Sequence, residues 1–320
     1  MTTPINIALL AFDGMQILDL TGPASVFALA NRACGQERYR VHILSAAGGQ
    51  VQSNSAIAVG TDPIDALAPS AVHTLLIAGG NASGLRALTT SPAVRDWVLA
   101  TAAAAQRYGS VCSGAWVLAS LGLLDGKRAT THWETSEALA RKYPLTDVQS
   151  KALYVQDGRI WTSAGVTTGI DMCLAMVEQD LNAAAAQYIA RQLVLYARRP
   201  GFQSQFSPML HAQERAGSQF AALVEWMKDN LTHVLDVPAL AARLAMSERS
   251  FYRKFTEALG ETPAYFVEGL RLDHGRQLIA SAMSLKEVAA GSGFSTYAHF
   301  AKAFERRFGM TPGLFRELHR

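Results

Sequence analysis

Cysteine is scarce in this sequence. Its three residues, Cys34, Cys112 and Cys173, lie far apart and are odd in number, which excludes a disulfide framework and a cysteine-based metal knuckle. Long hydrophobic runs are missing too, with nothing near the roughly 18–20 apolar residues of a membrane helix. The first basic residue is Arg32, behind one short apolar stretch from Ile5 to Phe12, so the start does not read as a secretory signal. These absences favour a reducing cytoplasm and no membrane partner. Excess charge of either sign is also absent. The 29 Lys/Arg and 26 Asp/Glu leave a formal +3, which excludes a polybasic coat and decides nothing about nucleic acid. Apolar side chain is what the sequence has: 49% hydrophobic against 17% charged over 320 residues, enough for two domain cores.

The two ends differ in pattern. The first 180 or so residues interleave short apolar strands with Ala-rich or amphipathic helices. Strands are expected at Ile5–Leu10, Tyr39–Ser45, Leu75–Ala78, Ser110–Cys112, Ala152–Gln156 and Ile160–Ser163. Helices are expected at Gly22–Ala33, Ala93–Gln106, Gly114–Leu121, Glu134–Lys142, Thr168–Val177 and Ala183–Arg198. Such alternation predicts an α/β domain over 1–198: a doubly wound, mostly parallel, flavodoxin-like sheet, with its crevice beyond the strands' carboxyl ends. Residues 199–217, with two prolines and no hydrophobic period, read as a linker. Residues 218–320 read as an all-α domain. Charge follows the division weakly: residues 1–210 carry 15 Lys/Arg against 14 Asp/Glu, and residues 240–320 carry 12 against 8.

The tail repeats itself. Leu240–Ser247 matches Val288–Ser295 at an offset of 48, and after one extra residue Phe251/Phe300, Phe255/Phe304, Gly260/Gly309 and Pro263/Pro312 match at 49. Each copy has the parts of a helix-turn-helix, giving two equivalent subdomains. Ser247 and Ser295 are expected to cap the second helix of each copy, and Ser284 the first helix of copy two. Phenylalanines at i and i+4 bury one face of each second helix and leave the other for display. Copy one displays Ser247, Glu248, Arg249, Ser250, Arg253 and Lys254; copy two displays Thr296, Tyr297, His299, Lys302 and Arg306. Arginines there can read guanine edges, while lysines and hydroxyls hold phosphates. Two such helices on one rigid body suit successive major-groove turns about 34 Å apart.

The run AMSERSFYRKF…GETPAY, then RL, then VA…GFS…FAKAFERRFGMTP, resembles the DNA-binding domain of AraC/XylS-type transcription regulators over residues 218–320. The resemblance implies a helix joining the subdomains, Pro263–Ser281 here. It also implies promoter DNA as partner, with RNA polymerase beside it.

In the first domain, Cys112 sits where a strand turns sharply into a helix, the geometry of a nucleophile elbow. A helix start beside it is expected to lower the thiol pKa. Asp19, Gly79, Gly80, Ser113, His132 and Thr167 end or follow neighbouring elements and are the candidate ligand contacts, with the Gly79 and Gly80 N–H groups available to a ligand oxygen. The motifs DLTGP, CSG, LLDGKRATTHW and SAGVTTGIDM resemble the ThiJ/PfpI family, whose fold is that of the class I glutamine amidotransferases, over residues 4–190. The nearest resemblance is to its isonitrile hydratase branch, where an aspartate and the elbow cysteine react; they match Asp19 and Cys112. No Cys–His–Glu triad is evident, and Gln16 stands as a candidate for the place of a first-loop acid.

The combination resembles GlxA-type regulators. The expected function is transcription regulation, with the α/β domain sensing a small polar or zwitterionic metabolite such as an amino acid or betaine. A homodimer is the expected assembly, with no cofactor and no metal. An active cysteine hydratase or amidase with a DNA-binding tail is the alternative, and a structural nucleoid protein a third.

Overall fold

In the computed structural model, which describes residues 3–195, 198–201, 205, 218–279, 281, 283–308 and 311–318, two units separate, Met1–Gln205 and Phe206–Arg320. In the first, the apolar runs Ile5–Leu10 (β1), Tyr39–Ser45 (β2), Thr74–Ile77 (β5), Arg107–Val111 (β6) and Ile160–Ser163 (β10) align in parallel. The sheet is completed by Gly49–Gln52 (β3), Ala58–Pro63 (β4) and Tyr154–Asp157 (β9), in the order β3-β4-β2-β1-β5-β6-β10-β9. Both edges are antiparallel hairpins, β3 with β4 and β9 with β10. The fold is thus the doubly wound, mostly parallel sheet that the sequence predicts, with β3 and β4 added. β4 alternates exposed and half-buried residues along AVGTDP, and β3 buries only Val51 of GQVQ, so neither carries an apolar run to betray it.

The helices Ile17–Cys34 (α1), Ala82–Thr90 (α2), Pro92–Ala104 (α3), Ala115–Ser120 (α4), Trp133–Lys142 (α5), Thr168–Asp180 (α6) and Ala183–Gln192 (α7) accompany the sheet. A short pair, Arg128–Ala129 (β7) and Asp147–Val148 (β8), flanks α5. Helix α2 has no counterpart among the expected helices, and two helix boundaries differ from expectation by five residues or more. Helix α1 begins at Ile17 and not Gly22, carrying Pro23 in its interior, because Leu20, Val26 and Phe27 are buried and packing outweighs the lost N–H. Helix α7 stops at Gln192, short of Arg198, and Val194 takes a left-handed φ of 54°. The expected linker, 199–217, lies largely outside the described residues. Its described start, Arg199–Gly201 and Gln205, is fastened to the first unit.

The chain reverses its winding between β1 and β5, and the register Leu10↔Ile77 and Ile77↔Ser110 brings their carboxyl ends level. Residues just past those ends therefore collect in one place, the crevice of open α/β sheets.

The second unit is helical: Ser218–Asp229 (α8), Val237–Arg243 (α9), Glu248–Leu259 (α10), Pro263–Ile279 (α11), Leu285–Gly291 (α12), Tyr297–Phe308 (α13) and Pro312–Leu318 (α14). It has two cores. Phe220, Leu240, Phe251, Phe255 and Phe266 make one; Leu272, Val288, Phe300, Phe304 and Phe308 make the other. Helix α11 feeds both, through Phe266 and Leu270 toward the first and Leu272 and Ile279 toward the second. Arg271 braces it, donating to Leu231 O at 2.9 Å and His233 O at 2.8 Å. The repeat match at Gly309 falls outside the described residues.

Candidate functional site: the cysteine crevice and the recognition helices

Strand β6 ends at Val111, and Cys112 follows with φ 56°, a conformation that strains any residue with a Cβ. One 3₁₀ turn, Cys112–Gly114, leads into α4. Gly165, at φ +96°, passes so close that a Cβ there would stand 2.7 Å from the Cys112 Sγ. The next residue, Val166, is also left-handed at φ 52°, so two strained residues face each other across the site.

Asp19, in the first turn of α1, is 2% exposed. Its Oδ1 accepts from Val166 N at 2.7 Å and its Oδ2 from Gly79 N at 3.2 Å. The Cys112 thiol donates to the same carboxylate. Burial raises the Asp19 carboxyl to about 6 despite those donors. Burial, then the Asp19 charge, pushes the Cys112 thiol up to about 12. The expected lowering of that thiol is therefore reversed: the Ser113 N–H at the helix start favours the thiolate, but burial and a neighbouring acid outweigh it.

Other expected contacts sort themselves by their bonds. The Gly79 and Gly80 N–H groups are not free for a ligand. Gly79 donates to Asp19, and Gly80 donates to Ser113 Oγ at 2.9 Å. His132 is the residue before α5, and its Nδ1 turns to Glu134 Oε2 at 3.6 Å. Gln16 caps α1, its side chain accepting from Leu18 N, so the acid beside the cysteine is Asp19. Thr167 is exposed and its Oγ1 accepts from Arg199 Nη2 at 2.7 Å.

Three partners escaped the sequence reading. Thr131 Oγ1 donates to Cys112 O at 2.9 Å, one residue from the histidine that drew attention. Arg199 holds Asp171 through Nη2–Oδ2 at 2.6 Å and Nε–Oδ2 at 2.9 Å. The Gln205 Nε2 lies 3.0 Å from both Thr131 O and Ala152 O. Nothing in a proline-bearing stretch marks those last two as anchors; only the buried Asp171 of α6 needed a cation.

In the second unit, Phe251, Phe255 and Leu259 bury one face of α10, and Arg249, Tyr252, Arg253 and Lys254 are exposed. Tyr252, unremarked in the sequence, is 45% exposed among those cations. Arg253 makes an exposed i,i+4 pair with Glu257 at 3.1 Å, a contact worth little and easily exchanged. Ser247 caps α10, accepting from Ser250 N, and the two hydroxyls are 3.0 Å apart. On α13, Tyr297, His299 and Lys302 are exposed. Arg306 is not free: it pairs with Glu268 of α11 at 2.6 Å, and His299 Nε2 lies 3.7 Å from the same carboxylate.

The cap of α13 is Thr296, whose Oγ1 accepts from His299 N at 3.2 Å, and not Ser295. The first helices of the two copies start at Val237 and Leu285, an offset of 48; the second start at Glu248 and Tyr297, an offset of 49. The additional residue therefore lies in the turn. Ser284 caps α12 as expected, in a capping box with Glu287.

Among the described residues no three His, Cys, Asp or Glu side chains group to hold a metal ion, and no helix is long and apolar enough to cross a membrane. Residues 5–179 match the DJ-1/PfpI family and residues 240–318 the helix-turn-helix domain. The chain is 33% identical over 307 residues to the HTH-type transcriptional regulator CdhR of Pseudomonas aeruginosa, covering 95% of this chain and 89% of that one. It is 32% identical over 301 residues to the HTH-type transcriptional regulator GlxA of Rhizobium meliloti, covering 90% and 88%. An isonitrile hydratase of Pseudomonas putida is 32% identical over 200 residues, covering 62% of this chain and 82% of the enzyme. A ThiJ/PfpI family protein from Pseudomonas syringae superposes with a TM-score of 0.56 at 25% identity, covering 71% of this chain and 88% of that one.

Proposed function

The chain belongs to the DJ-1/PfpI family and is an HTH-type transcription regulator, and we propose that its α/β domain senses a small molecule at the Cys112 crevice and transmits occupancy to promoter DNA. The observation that carries this reading is where the first unit ends. Arg199 is bonded to Thr167, next to the Val166 that holds Asp19. Gln205 is bonded to Thr131 O, and the Thr131 hydroxyl holds the Cys112 carbonyl. The segment that leads toward the DNA-binding unit is thus tied to both walls of the crevice, so a ligand that moves either wall moves that segment. Ligand binding can change DNA affinity only through such a difference between two arrangements of the chain. A cytoplasmic homodimer at promoter DNA, with RNA polymerase beside it, belongs to the same reading.

The test uses DNA selected from a random library by the full-length chain. A small molecule that raises its melting temperature should shift DNA affinity at least about fivefold, the lower range of allosteric coupling, and Cys112→Ala should abolish the shift while basal DNA affinity stays. A stabilising ligand that leaves DNA affinity unchanged removes the sensor reading.

The Asp19–Cys112 contact and the similarity to isonitrile hydratase support the second reading, a cysteine hydratase. Against it, the thiol is held protonated by burial and the neighbouring acid. Iodoacetamide labelling of Cys112 should therefore stay slow until pH rises well above about 9. Rapid labelling at neutral pH would favour the enzyme.

A further inference from the structure

Beside the elbow lies a cavity of about 340 Å³, in the lower range of small-molecule sites. Trp116 and Tyr143 form one wall, their rings 5.9 Å apart and edge to face, and Ser113 and Gly80 supply polar lining. Arg86 and Lys142 line the same cavity, and no aspartate or glutamate does, Asp19 included. Among the described residues neither cation has a carboxylate in ion-pair reach. The Lys142 Nζ stands 5.7 Å from the Trp116 ring centroid and 5.6 Å from that of Tyr143, held by ring faces and not by an acid.

We propose that this cavity is an anion subsite of the sensing crevice, taking the carboxylate of a small molecule whose apolar body lies against Trp116 and Tyr143. The proposal rests on the sensor reading above and names the ligand class. Two uncompensated positive charges on a concave, partly apolar surface concentrate anions. The Arg86 guanidinium offers a fork that matches a carboxylate in two parallel bonds. A cationic ligand end would meet no acid here and would be repelled by Arg86 and Lys142. The polar or zwitterionic metabolite expected from the sequence is thereby narrowed to one recognised through its carboxylate end.

The experiment is calorimetric titration of the full-length chain with benzoate, benzylamine, benzamide and inorganic phosphate at fixed ionic strength. Library-selected DNA is then bound with and without benzoate. Benzoate should bind, benzylamine should not, and Arg86→Gln and Lys142→Gln should each weaken benzoate about tenfold or more, the size of a lost charge-assisted bond. Four results overturn the subsite and leave the sensor reading intact: no benzoate binding, equal binding of the amine or amide, phosphate binding as tightly as benzoate, or benzoate affinity unchanged in both variants. Benzoate that binds through Arg86 and Lys142 yet leaves DNA affinity unchanged upholds the subsite and overturns the sensor reading.

Discussion

At the scale of single residues, the site is a negotiation between one carboxyl and one thiol in a space with little water. Asp19 gains two backbone donors and still titrates high, because burial penalises its charge more than the donors relieve it. A carboxyl whose folded pKa lies above its unfolded value stabilises the fold fully below the unfolded pKa of 3.8, and that contribution is lost as pH rises through about 6. Across that interval the protein should lose about 3 kcal/mol relative to an Asp19→Asn variant, which has nothing to titrate there. Urea denaturation at pH 4, 5, 6 and 7 measures it; parallel pH profiles would show that Asp19 is not held in this way. Cys112 and Asp19 were legible in the sequence because each is an anomaly there: a thiol at a strand-to-helix turn, an acid between two leucines. Thr131 and Gln205 were not, since a hydroxyl and an amide look alike wherever they stand, and only the fold tells which carbonyl they meet.

Among elements, the two helix-turn-helix copies are the informative comparison. Their turns place Ala245 and Gly293, 48 residues apart, in the same left-handed conformation, at φ 52° and 82°. Ala245→Gly should stabilise the unit by about 0.5–1 kcal/mol, the relief of left-handed strain less the added freedom of the unfolded chain. The opposite change is not tolerated, because a Cβ on Gly293 would stand 2.0 Å from Leu231 O. Gly293→Ala should cost more than about 2 kcal/mol, and thermal denaturation of the two variants reads both signs. On the displayed faces, Arg249→Ala should weaken binding to selected DNA by about 1–3 kcal/mol with loss of base preference at one position. Lys302→Ala should weaken all sequences alike and lower the salt slope by about one. Unchanged affinity in both would move the recognition faces elsewhere. The repeat announced these helices from sequence; the cap did not come with it, because Ser295 and Thr296 are adjacent hydroxyls and only the start at Tyr297 decides between them.

For the whole molecule, the sequence divided correctly into an α/β part and a helical part because their hydrophobic periods differ. The hairpin of β3 and β4 stayed hidden, because it puts only Val51 fully into the core and is held otherwise by strand pairing. The expected linker has no hydrophobic period to mark an anchor, yet at its start Arg199 and Gln205 are bonded to several residues of the first unit. Arg199→Ala with Gln205→Ala should leave ligand affinity within about twofold while removing most of the ligand's effect on DNA affinity, a loss of coupling without a loss of binding. Titration calorimetry and DNA anisotropy on the same variant separate the two. A fall in ligand affinity matching the fall in response would mean that these residues shape the crevice itself.

The additional residue in the second turn has a consequence for the DNA. The two proposed readers are built from the same plan and share helix α11, yet their displayed faces differ: Arg249, Tyr252, Arg253 and Lys254 on one, Tyr297, His299 and Lys302 on the other. A site that suits them has an order, one reader's bases upstream of the other's. Turned end for end on the duplex, each would meet its neighbour's sequence. On the proposed reading, a single chain carries a sense of direction along its DNA before any partner joins it.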